Sequence, residues 1–125
     1  MTGQLKSAVH GQTLVLTLSN PTLRNALGPE IYTAGIEALN AAESNSEIRS
    51  VIITGEGAHF CAGGNLQRLL TNREQPKEVQ AQSIDGLHTW MEAIHTFPKP
   101  VIAAVEGAAA GAGFSLVLMC DLVVA

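Results

Sequence analysis

The sequence predicts an α/β protein built on buried, largely parallel strands. Three observations carry that prediction. Short apolar or β-branched runs recur at 51–54, 101–105 and 121–125. Segments with apolar residues at helical spacing separate them. A glycine-rich stretch follows each of the first two runs, where a strand would hand over to a helix.

The elements follow in order. Leu5 to Val9 and Thr13 to Leu18 are β-prone runs joined around His10-Gly11-Gln12, which predicts a hairpin. Asn20-Pro21-Thr22 breaks the sheet. Pro29 followed by Glu30 suits the first turn of a helix, where proline forfeits no hydrogen bond and an acid favours the dipole. Ile31, Ala34, Gly35, Ala38, Leu39 and Ala42 then form one narrow face of mostly small residues, suited to lying close against a sheet.

Val51-Ile52-Ile53-Thr54 reads as a strand buried on both sides, ending at Gly55. After a turn at Gly55-Glu56-Gly57 comes His59-Phe60-Cys61-Ala62-Gly63-Gly64-Asn65, and then a helix-like segment from Leu66 to Leu70. The polar stretch from Thr71 to Gln82, with Pro76, reads as a mobile loop or a frayed helix start. Ile84, Leu87, Met91 and Ile94 mark a second amphipathic helix that stops before Pro98 and Pro100. Val101 to Val105 is a further buried strand, followed by Gly107-Ala108-Ala109-Ala110-Gly111-Ala112-Gly113 and a third helix. Asp121 to Ala125 reads as the inside of another buried strand. Because termini usually fray into polar tails, residues 1–125 are expected to be the N-terminal part of a longer domain, with its C-terminal half absent.

Composition narrows the function classes. With 125 residues, 46% apolar and 14% charged, the chain can bury one core. A net charge of -4 argues against a nucleic-acid or anionic-membrane partner. The N-terminus has no signal-type apolar segment, and Glu106 and Asp121 break the longest apolar runs well short of a membrane span. Two well-separated cysteines, Cys61 and Cys120, fit reduced thiols in a cytoplasm. Among the histidines, His59, His88 and His95 lack metal-site spacing and His10 lies in a hairpin turn, so no metal is implied. Trp90 and Met91 fit a core or an oligomer contact better than a cofactor site.

The repeated device of apolar strand, small residues and helix occurs at VIITGEGAHFCAGGN and at VIAAVEGAAAGAG. The first N–H groups of a helix lack intrahelical partners and sit at its positive end, and small residues leave them open to a ligand. Two such turns facing one another can direct two donors at a single oxygen, an oxyanion hole. The competing explanation is close packing of backbone on backbone, which for either turn alone is the better one. Other motifs fail. Gly111-Ala112-Gly113 lacks the rest of a dinucleotide fingerprint, no lysine follows the glycines as in a phosphate loop, and Ser115 lacks the second glycine of a nucleophile elbow.

The residues Asn20-Pro21, Arg24-Asn25-Ala26-Leu27, Phe60-Cys61-Ala62-Gly63-Gly64-Asn65-Leu66, Lys99-Pro100-Val101 through Gly107, Gly111-Ala112-Gly113 and Cys120-Asp121 occur together and in order. In this the chain resembles the first half of an enoyl-CoA hydratase/isomerase, the crotonase superfamily. The resemblance implies a spiral of ββα units and chemistry on acyl-CoA thioesters through an enolate-like intermediate. It implies backbone donors at Gly64 and Ala112, with Leu23, Arg24, Ala26, Ala62, Asn65 and Leu66 bordering the coenzyme A moiety. It implies no flavin, nicotinamide or other cofactor, since coenzyme A is part of the substrate, and a trimer or hexamer of the full-length protein.

Ser115 departs from the pattern: it stands where hydratases of the family carry a glutamate, and serine is no acid or base near neutral pH without an activating partner. The resemblance places a second carboxylate beyond residue 125. It therefore points towards isomerases or enzymes acting on ring-derived thioesters, such as oxepin-CoA hydrolases of aromatic degradation, alongside hydration. Rival readings are a thioester-binding pseudoenzyme and a hydrolase using Cys61 or Ser115 as nucleophile. Asp121 and Glu106 read as a structural residue and a turn residue.

Overall fold

The alternation of Thr13-Leu14-Val15-Leu16-Thr17-Leu18 is realised as a half-buried strand. β1 (Gln4–His10) and β2 (Thr13–Ser19) form the expected hairpin, paired antiparallel from Gln4 opposite Ser19 to His10 opposite Thr13. The computed structural model describes residues 3–64, 70–71 and 73–125. Within these, β3 (Ser50–Gly55), β4 (Val101–Ala104) and β5 (Leu122–Val124) join in parallel, giving a sheet in sequence order, β1-β2-β3-β4-β5. Parallel neighbours need long crossovers. Helices α1 (Pro29–Glu43), α2 (Lys77–His95) and α3 (Ala112–Met119) lie in those connections.

One face of the sheet carries the core. Leu14, Leu16, Leu18, Val51, Ile53, Val101 and Ala103 are buried, and Ile31, Leu39, Trp90, Ile94 and Leu116 from the helices pack with them. The intervening residues Val15, Ile52 and Ile102 are only half-buried. β3 is therefore buried on one side, not two as its unbroken apolar run predicts, because the helices cover a single face. Within residues 1–125, β5 lies at the edge of the sheet, with Leu122 61% exposed and Val123 and Val124 also exposed.

The packing of α1 refines a further expectation. The small face of α1 receives a neighbouring helix rather than the sheet alone: the indole of Trp90 on α2 occupies the space a side chain at Gly35 would fill. Trp90 is fully buried, which places it in the core, and its Nε1 has no hydrogen-bond partner among the described residues. α2 begins at Lys77, with Pro76 preceding it and Glu78 in its first turn, so of the two readings of residues 71–82, loop or helix start, the helix start holds from Lys77 onward. Those first turns are exposed, so no apolar periodicity marks them.

Long-range caps fix the helix ends. Lys99 Nζ donates to Ala42 O at 2.6 Å and Asn45 O at 2.8 Å, closing the C-terminal end of α1 with a cation where the dipole favours one. Asp121 is structural, as expected: its Oδ2 accepts from Val101 N and its own N donates to Val101 O, both at 2.8 Å. Because β2, β3 and β4 run parallel, the loops that follow them all leave at one end of the sheet. Open α/β sheets bind ligands in that position, outside the carboxyl ends of their strands.

Candidate active site

The loop after β2 begins with a short helical turn at Pro21–Leu23. Asn20 O accepts from Leu23 N at 3.0 Å and from Asn25 N at 2.8 Å, and Arg24 and Asn25 follow in the left-handed region, with φ of 52° and 61°. Leu23 and Arg24 are exposed, whereas Ala26 is buried. The loop after β3 starts at Glu56, whose N–H donates to Leu18 O. Its carboxylate accepts from Ser19 Oγ and pairs with Lys6 Nζ at 3.1 Å. The Ser19 hydroxyl first, and Lys6 second, hold its pKa below the ordinary carboxylate value.

These two loops are laced together. Ala62 N donates to Arg24 O at 3.0 Å and Leu27 N to Gly63 O at 2.7 Å, with Leu27 and Gly64 opposed as a parallel bridge. On the other side, Phe60 N and Cys61 N both donate to Ala108 O at 3.1 Å, and Ala110 N donates to Cys61 O at 3.0 Å. Ala108 N donates to His59 Nδ1 at 3.3 Å. Residues 56–64 are thus the middle layer of three.

The small residues follow from this stacking. A Cβ at Gly113 would stand 2.5 Å from Cys61 O and 2.8 Å from Cys61 Cβ. A Cβ at Gly107 would overlap Ala58 O, and one at Gly63, at φ +106°, would stand 2.9 Å from Ala110 O. Close backbone packing, the plainer of the two sequence readings, therefore accounts for these three glycines. Gly64 and Ala112 are the two residues expected to offer open N–H groups. Neither N–H has a recorded hydrogen bond among the described residues, and Ala112 is the first residue of α3. A Cβ built on Gly63, the neighbour of Gly64, would lie 3.5 Å from Ala112 N, so the two turns approach each other closely at Gly63. Arg24 lies alongside Ala62, with Leu23 and Ala26 in the same loop. Asn65 and Leu66, the remaining residues expected to border coenzyme A, fall outside the described residues, as does most of the expected helix-like segment from Leu66 to Leu70.

The side chains offer little reactivity. Cys61 is fully buried, its sulfur accepts from Gly63 N at 3.4 Å, and burial pushes its thiol up to about 11. Burial disfavours the thiolate, the form that acts as a nucleophile. Ser115 is on α3 with its hydroxyl donating at 3.4 Å to Gly111 O. Asp121 is engaged with Val101, and Glu106 lies exposed at the turn after β4. No group of three His, Cys, Asp or Glu residues gathers in metal-binding geometry among the described residues. No described helix is long and apolar enough to cross a membrane.

Two contacts escape a reading of the sequence alone. Asn25 is buried at the centre of the stack, a role signalled only by two asparagines flanking a proline turn. His59 links two loops through an acceptor nitrogen, which nothing in its spacing announces. A cleft of about 220 Å³, lined by residues including Val9, Leu14, Ala42 and Ile48, lies at the opposite end of the parallel strands from the three loops.

Comparison with known proteins agrees with this architecture. Residues 9–125 match the enoyl-CoA hydratase/isomerase family model. The chain is 38% identical over 114 residues to the 2,3-dehydroadipyl-CoA hydratase of Escherichia coli, covering 91% of this chain and 43% of that protein. It is 34% identical over 120 residues to the 1,2-epoxyphenylacetyl-CoA isomerase of the same organism, covering 95% and 46%. The crystal structure of an enoyl-CoA hydratase from Polaromonas sp. JS666 superposes with a TM-score of 0.96 at 76% identity, over 97% of this chain and 47% of that one. The chain therefore spans less than half the length of each of these relatives. It belongs to the enoyl-CoA hydratase/isomerase family and has the fold of the N-terminal portion of a crotonase.

Proposed function

We propose that this chain binds acyl-CoA thioesters and polarises the thioester carbonyl between the N–H groups of Gly64 and Ala112, stabilising an enolate-like intermediate. The observation that supports the reading is the close approach of Gly63, next to Gly64, to Ala110 and Ala112, with the N–H groups of Gly64 and Ala112 unused among the described residues. As negative charge develops on the oxygen, two fixed donors and the positive end of α3 stabilise it without reorganising. Leu23, Arg24, Ala26, Ala62, Asn65 and Leu66 border the coenzyme A moiety, and the resulting reaction is double-bond isomerisation or hydration. No metal, flavin or nicotinamide takes part. The protein works in the cytoplasm, as a trimer or hexamer.

Ser115 does not act as the family glutamate does, because its hydroxyl donates to Gly111 O and no base activates it among the described residues. Proton transfer falls to a carboxylate outside residues 1–125, consistent with relatives more than twice this length. Single-carboxylate chemistry of this kind fits isomerisation, or conversion of a ring-derived thioester as the name of the 34% identical relative describes. A second reading, binding without turnover, is favoured by the same observation at Ser115 and by the engagement of Asp121 with the backbone.

The test is turnover by the full-length protein on crotonyl-CoA and a 3-enoyl-CoA, with Gly64→Pro beside the wild type. Removing one donor N–H lowers kcat by about 10²–10³ while coenzyme A affinity is largely kept. Wild-type kcat in Gly64→Pro contradicts the site, and coenzyme A binding without turnover of either substrate supports the binding-only reading.

A further inference from the structure

At the centre of the three-layer stack is a side chain with no assigned role. Asn25 is 1% exposed. Its Nδ2 donates to Glu56 O at 2.9 Å and His59 O at 2.8 Å, with Phe60 O at 3.3 Å. Its Oδ1 accepts from Asn20 N at 2.9 Å. One carboxamide thus joins both ends of the first loop to three carbonyls of the second. Only a group with two N–H donors and an acceptor serves both directions, which excludes aspartate and leucine of similar shape. The left-handed backbone at φ 61° is one that asparagine tolerates better than most residues.

The carbonyls it gathers belong to the segment whose N–H groups face the third loop: Phe60 N and Cys61 N hold Ala108 O, and Cys61 O holds Ala110 N. We infer that Asn25 is the positioning residue of the site. Its carboxamide sets the 56–64 turn, and through Ala108 and Ala110 the start of α3, so that Gly64 and Ala112 keep their relation. The inference rests on the proposed thioester reading for its functional consequence, but its structural part stands on the hydrogen bonds alone. Asn25 touches no reacting atom. It acts through Phe60 and Cys61, as a buried polar network in which each member is satisfied can do.

The experiment uses full-length protein and three variants. Asn25→Gly accepts the left-handed backbone but removes the carboxamide, Asn25→Asp keeps the shape and removes the donors, and Gly35→Ala overpacks the core against Trp90, away from the loops. The carbonyl band of bound carbon-13-labelled crotonyl-CoA and amide exchange of residues 58–64 are both recorded. In the wild type the band lies below its solution position. In Asn25→Gly and Asn25→Asp it moves back towards that position, and residues 58–64 exchange about tenfold faster, the equivalent of roughly one lost hydrogen bond. Gly35→Ala lowers the melting temperature and leaves the band in place.

A wild-type band at the solution position overturns the thioester reading and the functional part of the inference. A shifted wild-type band that both Asn25 variants retain overturns the inference alone, as does unchanged exchange at 58–64. If neither Asn25 variant folds, native-state exchange of the wild type decides: the N–H groups of Leu27, Phe60 and Ala62 open together under denaturant if one amide latches the loops, and separate opening overturns the inference.

Discussion

Replacing Gly113 with alanine tests how α3 is seated. Its Cβ would lie 2.5 Å from Cys61 O, 2.8 Å from Cys61 Cβ and 3.0 Å from Cys61 Sγ. Carbon contacts favour about 3.5–4.0 Å, so α3 or the 60–62 backbone must retreat by roughly 1 Å. The carbonyl cannot swing aside, because Cys61 O already accepts from Ala110 N at 3.0 Å. Overpacking of this kind costs about 1–3 kcal/mol, a fall of roughly 5–10 °C in melting temperature at the middle of that range. A 1 Å displacement of Ala112 also costs on the order of 10² in turnover. The assay pairs calorimetric melting with kcat on crotonyl-CoA. Cys61→Gly in the same chain removes the Cβ and sulfur contacts but not the oxygen, so the double variant recovers only part of the stability. A Gly113→Ala protein with wild-type melting and kcat refutes the reasoning.

Three other perturbations probe the scaffold. Gly35→Ala drives a methyl into the Trp90 indole and lowers stability by about 1–3 kcal/mol, and Trp90→Phe beside it restores part of the loss in chemical denaturation. Asp121→Ala leaves Val101 N without its 2.8 Å acceptor and costs about 1–3 kcal/mol, whereas Asp121→Asn, which keeps an acceptor, costs less in the same denaturation series. Cys61 and Cys120 are both pushed from 9.0 up to about 11, chiefly by burial, so their thiols ionise first in the unfolded chain. Their contribution to stability is complete below pH 9 and lost as pH rises to about 11; Cys61→Ala flattens that alkaline slope in urea titrations, and an unchanged slope contradicts the assignment.

The order of elements was legible because each carries a local signal. The hairpin shows strand alternation around Gly11, α1 opens on Pro29-Glu30, and the β3 and β4 runs are too apolar to be anything but core. Burial on the second face was not legible, because Val51-Ile52-Ile53 has the same composition whether one or both faces are covered. The first turns of α2 were hidden by their exposure, which removes the apolar rhythm. At the site, the two small-residue turns announced themselves, but composition alone cannot separate a glycine needed for packing from one needed for a ligand. Gly113 and Gly63 proved to be packing residues, and Gly64 and Ala112 remain the candidates for donors. Asn25 was legible only as part of the Arg24–Leu27 segment, and its contacts were not, because its Nδ2 partners are backbone carbonyls more than thirty residues away and a carbonyl leaves no mark in a sequence.

The most direct measurement is the amide proton and nitrogen shift of residues 64 and 112 during titration with crotonyl-CoA and, separately, with free coenzyme A. Two donors sharing the thioester oxygen move downfield together with crotonyl-CoA and stay in place with coenzyme A. If either amide ignores the thioester, or responds equally to coenzyme A alone, the carbonyl is not held between them.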